Sequence, residues 1–262
     1  RAHNLHLMSY SVPVRRQMLL EELQPHLHSL PERPDDIPYR TSYYREHWAF
    51  CLRHRDRERL GPGPYEVVVD STLAPGHLTL AEFVVPGQSD DEILVHTHVC
   101  HPSLANDNLA GIAVAVELAR ALGRSRPRHT WRFIFAPGTI GSLTWLALRP
   151  QVLPRVRAGL VLGLLGDGAP LQYKRSRRGD TLTDRAAAHV LAGIEGARLL
   201  DFEPYGYDER QYGSPGFDLP VGRLTRSVNG GYPEYHCSAD DMTLLLSEST
   251  LRPPVPPAQT SI

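Results

Sequence analysis

From about residue 78 the chain alternates between apolar runs and longer stretches with helical spacing. The runs at 78–85, 92–97, 130–135 and 158–165 predict strands. The stretches 108–122, 141–148 and 183–191 predict helices. Strands alternating with helices imply an α/β sheet layered by helices. The stretch 109–119 is apolar on most of its circumference, so that helix is expected to be buried. Residues 1–77 read differently. Prolines recur at Pro13, Pro25, Pro31, Pro34, Pro38, Pro62 and Pro64. Between them lie one helix candidate, 17–27, and one strand candidate, 65–70. The charged run 53–59 reads as a solvated turn or helix, and Tyr43, Tyr44 and Trp48 as lobe core. The expected organisation is a small α+β lobe over 1–77, a core over 78–250 and an extended tail over 251–262. That tail, with its proline pairs, can be neither helix nor central strand.

Composition narrows the function. The 262 residues are 41% hydrophobic, enough for one sizeable core. The formal charge of -1 and a pI near 7.0 provide no global field for nucleic acid or an anionic membrane. No apolar run reaches the roughly 20 residues that a membrane span requires. Three cysteines, Cys51, Cys100 and Cys237, are too few and odd in number for a disulfide framework, so a reducing cytoplasm is expected.

The chemistry concentrates in Ile93-Leu94-Val95-His96-Thr97-His98-Val99-Cys100-His101-Pro102-Ser103-Leu104-Ala105-Asn106-Asp107-Asn108. An apolar strand runs into histidines, and an acidic residue then opens a helix. Imidazole, thiol and carboxylate are zinc ligand types. A loop after a strand sits at the strand's carboxyl end, where open α/β sheets place their ligands. Three further segments carry candidate polar groups: 133–142 between a strand and a helix, 160–168 ending in Asp167, and 233–241 containing His236. Each residue has a plainer role when taken alone. Asp107 suits a helix N-cap and Asp167-Gly168 a turn. Cys100 suits a buried small hydrophobe, and Glu209 can pair with Arg210. The run Tyr173-Lys174-Arg175-Ser176-Arg177-Arg178 reads as a solvated loop that could also hold a carboxylate or phosphate through arginine forks.

In this order the segments resemble the zinc aminopeptidases of the bacterial leucyl type, whose clan includes the glutaminyl cyclases. The resemblance spans roughly 78–245. His98-x-Cys100-His101-Pro102-Ser103-Leu104-Ala105-Asn106-Asp107-Asn108, Asp208-Glu209-Arg210-Gln211 and Glu234-Tyr235-His236 look more closely like aminopeptidase-like proteins of bacterial polysaccharide and natural-product clusters. It implies a three-layer α/β/α fold with a mostly parallel mixed sheet, the lobe being an added domain. It also implies zinc, with His98, Asp107, Asp167 and His236 as ligands. His101, Asp208, Arg210 and Tyr235 would face a small peptide-like or amide substrate.

One departure stands out. Where these peptidases carry a Glu-Glu pair, this chain reads Pro137-Gly138-Thr139-Ile140-Gly141. His98, Asp107 and Asp167 leave ligands for one zinc, while a second site keeps only Asp107 and His236 unless Cys100, His101, Cys237 or Glu209 joins. Glu209 and Glu234 become the candidate general bases. The resulting expectation is a zinc-dependent hydrolase of an amide bond. Its rivals are a same-fold cyclase or acyl-transfer enzyme with an amine nucleophile, and a metal-stabilised scaffold without turnover. Substrate identity and oligomeric state are not legible.

Overall fold

The structure, a computed structural model, describes residues 3–245, so the expected tail over 251–262 lies outside the described residues. The described chain divides into two units. One comprises 3–78 with 101–104 and 233–243, the other 79–100 with 105–232 and 244–245.

The first unit is built on β1 (Val14–Leu19), α1 (Leu20–Leu23), β2 (Leu27–His28), β3 (Phe50–Cys51), α2 (His54–Glu58) and β4 (Pro64–Val69). β1 pairs antiparallel with β4, and β2 parallel with β3. The helix expected over 17–27 shortens to α1 and the 3-10 turn Gln24–His26 that follows it. Residues up to Leu19 extend instead, because pairing Met18 with Tyr65 and Arg16 with Val67 buries Met18. Met18 joins a cluster with Leu23, Leu27, Trp48, Val67 and Val69. Here long-range pairing outweighs local spacing. The aromatic expectation holds for Trp48 and fails for Tyr43 and Tyr44, whose side chains are exposed.

The second unit comprises β5 (Ala81–Val85), β6 (Ser89–His98), α3 (Gly111–Gly123), β7 (His129–Ala136), α4 (Ile140–Leu148) and β8 (Val156–Leu162). It continues with β9 (Gln172–Lys174), α5 (Leu182–Leu191), β10 (Arg198–Leu200), α6 (Asp208–Tyr212) and β11 (Val221–Thr225). The strands form one seven-stranded mixed sheet in the order β10-β9-β11-β8-β6-β7-β5. Its central strands β7, β6, β8 and β11 are parallel, β5 and β9 each run antiparallel to a neighbour, and β10 is parallel to β9.

Alternation along β6 explains the layering. Leu94 faces a core with Ile134, Trp145, Leu146 and Tyr212, which brings α4 and α6 to that side. Val95 faces a second core with Ala115, Phe133 and Leu162, which brings α3 to the other side. His96 and His98 share the face of Leu94 by the same period of two. The first turn of α3 lies close to the sheet. A Cβ on Gly111 would stand 2.8 Å from Thr97 Oγ1 and 3.0 Å from the Leu162 carbonyl.

Two expectations need correction. α3 is not buried all round. Gly111 and Ala115 are buried, whereas Val114 on the opposite face is exposed, as an outer layer over one sheet face requires. The strand expected over 158–165 ends at Leu162, because Leu164 takes φ +52° and turns the chain out of the sheet.

Among the described residues no helix is long and apolar enough to cross a membrane. Leu94 is fully buried at the centre of the sheet. Leu94→Ala is therefore expected to cost about 2–5 kcal/mol, read as a lowered urea midpoint with an unchanged slope.

Candidate functional site

In the second unit the site is built on the carboxyl ends of β6, β7 and β8. Register places His98 beside Ala136 of β7, and Thr97 beside Leu162 of β8. The turn that follows, 105–110, is held by three successive polar side chains. Asn106 accepts from the Gly166 N–H at 2.7 Å and donates to Asp167 Oδ2 at 2.8 Å. Asp107, at a kink with φ −108° and ψ 74°, places Oδ1 2.6 Å from His98 Nε2. Asn108 Oδ1 accepts from the Cys100 N–H at 2.6 Å. This Asn-Asp-Asn run thus ties β6 and the β8 loop to the start of α3. His98 and Asp107 are both buried.

Asp167 stands five residues past the end of β8. One carboxylate oxygen accepts from the Asn106 amide and the other from the Ala169 N–H at 2.8 Å, closing a local turn. Among the described residues it does not join His98 and Asp107 in a group of donors all within 4.8 Å of one another. The residue directly after β8 is Gly163, and a Cβ there would stand 3.2 Å from His98 Cε1. The position aimed at His98 therefore carries no side chain.

Gly138, just past β7, is filled from outside. A Cβ on it would fall 2.4 Å from three atoms of the Tyr207 phenol. The Tyr207 ring also meets His98 edge-on, with centroids 4.8 Å apart. Its Oη lies 3.4 Å from Cys100 Sγ, and the Gly138 N–H donates to that sulfur at 3.0 Å. Burial pushes the Cys100 thiol and the Tyr207 phenol upward, so both stay neutral near pH 7.

Beneath His98 lies a buried polar chain. His96 Nδ1 is 2.6 Å from Tyr212 Oη, and its Nε2 is 3.5 Å from Asp208 Oδ2. Burial lowers His96 to about 3, keeping it neutral. Asp208 is pushed up to about 6, chiefly by burial, although a hydrogen bond from Ser142 at 2.7 Å favours the carboxylate. A carboxyl in that range exchanges protons near neutrality.

Glu209 is also buried, but its carboxylate is occupied. Lys174 Nζ lies 2.9 Å from Oε1, and the Tyr207 N–H points at both oxygens at 3.1 and 3.2 Å. Lys174 donates as well to the Tyr205 carbonyl at 2.6 Å. This arrangement ties β9 to the start of α6, and a base held so is poorly placed to collect a proton. Arg210, on the same helix, lines a cavity with Arg177 and Phe202.

In the first unit, His101, Tyr235 and His236 come together with Tyr39. The two imidazole centroids are 4.8 Å apart, Tyr39 lies 4.9 and 5.2 Å from them, and Tyr235 stacks on His236 at 3.8 Å. The Tyr39 N–H donates to the His236 carbonyl at 2.7 Å. Glu234 is partly buried, and its carbonyl accepts from the Cys237 N–H at 3.2 Å.

Sequence reasoning misses His96, Gly163, Lys174 and Tyr207. His96 is two residues from His98, hence on its face. Lys174 is the only lysine in the chain, and the other basic residues are all arginine. The roles of Gly163 and Tyr207 leave no local signal.

A mixed sheet between helical layers, with a buried His-Asp pair at its carboxyl edge, defines an aminopeptidase-like α/β protein. The chain belongs to the family described as "Domain of unknown function (DUF4910)", whose model matches residues 5–253. It is 46% identical over 244 residues to a Clostridium acetobutylicum protein with the provisional name of polysaccharide biosynthesis protein with aminopeptidase-like domain. That match covers 92% of this chain and 56% of the relative, so the chain spans about half the relative's length. A crystal structure of a provisionally named peptidase from Clostridium acetobutylicum superposes with TM-score 0.90 at 45% identity, covering 93% of this chain and 58% of that one. The fold is also that of a zinc aminopeptidase from Bacillus subtilis, with TM-score 0.62 and 15% identity over 84% of this chain and 58% of that one.

Two outcomes follow. Lys174→Met leaves Glu209 buried and unpaired and is expected to cost about 3–5 kcal/mol in urea denaturation, with part of the loss recovered by adding Glu209→Gln. For Asp208 the folded value lies above the unfolded one, so its share of stability is full below about pH 4 and lost as pH rises through about 6. Asp208→Asn removes that loss. Its stability relative to wild type should therefore rise between pH 4 and pH 7, by on the order of 2–3 kcal/mol.

Proposed function

We propose that this chain is a metal-dependent, aminopeptidase-like hydrolase that cleaves an amide or peptide-like bond in a small substrate, in a polysaccharide biosynthesis setting. The observation that carries this reading is the His98–Asp107 pair, 2.6 Å apart and buried at the carboxyl edge of the sheet. Its imidazole nitrogen and carboxylate oxygen are donors that zinc accepts. Two ligands of one tetrahedral zinc stand roughly 3.3–3.5 Å apart, so the pair needs to open by less than about 1 Å. His98 and Asp107 are the proposed ligands. Asp167 and His236 remain proposals of the sequence pattern alone. When bound, zinc would supply Lewis acidity towards a carbonyl oxygen and acidify a water. The name of the Clostridium acetobutylicum relative supports the polysaccharide setting, and the odd number of thiols suits the cytoplasm.

Within this reading Asp208 is the group best suited to take up and return a proton. Ser142 orients it, and its Oδ2 is otherwise without a hydrogen bond. Glu209 instead holds α6 in place through Lys174, and Glu234 stays a candidate on sequence context. Tyr207 closes the His98 side of the site with an apolar ring edge.

The Tyr207 ring in the space beside Gly138 favours a second reading, in which one metal is held and water is not the nucleophile. That covers acyl transfer to an amine and a scaffold without turnover. The absence of a carboxylate at Gly138 predicts weak cleavage of simple aminoacyl amides, since a general base contributes typically about 10²–10⁴-fold.

The test combines metal analysis with kinetics. The wild type is expected to bind about one zinc per chain, and His98→Ala and Asp107→Ala each to lose it. A chelator should abolish hydrolysis of the substrate amide. Zinc bound without hydrolysis across a broad amide panel would favour the second reading. Stoichiometric zinc retained by both variants would sink the metal assignment.

A further inference from the structure

A cavity of about 430 Å³ lies in the second unit, lined by Arg177, Phe202, Pro204, Arg210, Gln211, Gly213, Ser214 and Pro215. That volume suits a small molecule. Neither His98 nor Asp107 lines it, and neither does any carboxylate.

The two arginines distinguish this cavity. Arg210 Nε is buried and has no hydrogen-bond partner among the described residues. A guanidinium carries five N–H donors and no acceptor, so it needs acceptors from elsewhere. Among the described residues Arg177 makes one long contact, 3.5 Å from Nη1 to the Gly213 carbonyl. Glu209 is committed to Lys174, and Asp218 to Arg178. Phe202, Pro204 and Pro215 add apolar lining.

We infer that this cavity binds a phosphate ester, with the phosphate between Arg177 and Arg210 and the esterified group against Phe202 and the prolines. Two guanidinium forks, one from the turn at Arg177 and one from α6, match a tetrahedral anion with several acceptor oxygens, whereas one fork satisfies a carboxylate. Phe202 and the prolines suit an apolar substituent. The assignment does not depend on a metal at His98, and it gives Arg177 a role that the candidate active site leaves unused.

Phenyl phosphate is the probe, titrated calorimetrically into the purified chain, with inorganic phosphate and benzoate in parallel. Phenyl phosphate should bind, inorganic phosphate more weakly, and benzoate at least about tenfold more weakly. Arg210→Met and the exposed-site change Arg177→Met should each lower phenyl phosphate affinity by about tenfold or more. His98→Ala should leave that affinity unchanged, which separates this site from the proposed metal centre. Circular dichroism confirms that each variant is folded, and Arg177→Met keeps the test open should Arg210→Met fail to fold. Absence of binding up to about 10 mM, or affinity unchanged in the folded arginine variants, would overturn the inference. Benzoate binding as tight as phenyl phosphate would overturn the phosphate assignment.

Discussion

The carboxyl edge of the sheet is governed by the cost of burying two histidines on one face of one strand. His96 and His98 leave water completely or nearly so, and a buried polar group without a partner is expensive. Each ring therefore recruits a partner from a distant element. His98 takes Asp107 from the turn before α3, and His96 takes Tyr212 from α6. These two bonds fix both helices against β6 on opposite sides of the sheet. Asp208 and Glu209 then follow from where α6 sits. One is left close to His96 with its charge disfavoured, the other is neutralised by Lys174.

The same edge bears on the proposal of a single metal. Positions 138 and 163 both adjoin His98's surroundings, and both are glycine. At 163 a side chain would press on the His98 ring, and at 138 the Tyr207 phenol already occupies the volume. Within the second unit, the Cys100 thiol stays neutral and Glu209 is committed to Lys174. A centre with one metal and a protonatable Asp208 is consistent with that inventory. A second carboxylate-rich site beside Gly138 is not.

Much of this was legible in the run Ile93 to Asn108, because strand period and ligand chemistry coincide there. The alternation of strands and helices likewise carries the sheet and its layers. Asp167 stands further past its strand than the sequence implies, because the apolar run continues to Leu165 while the strand stops at Leu162, where Leu164 adopts a positive φ. The first three residues of the helix expected over 17–27 join β1 instead, because its partner, β4, is about fifty residues away. Tyr207 beside Gly138 is a contact across 69 positions, and a sequence holds no local trace of it. Lys174 offers the opposite case, since a lone lysine in an arginine-rich chain is visible and only its buried partner is not.

The account's central claim is that His98 and Asp107 hold a metal at the edge of β6. Anomalous diffraction at the zinc edge, from crystals equilibrated with zinc, tests it most directly. The account predicts a single strong peak about 2.0–2.2 Å from both His98 Nε2 and an Asp107 carboxylate oxygen. No peak there, with the pair still in direct contact, would contradict it.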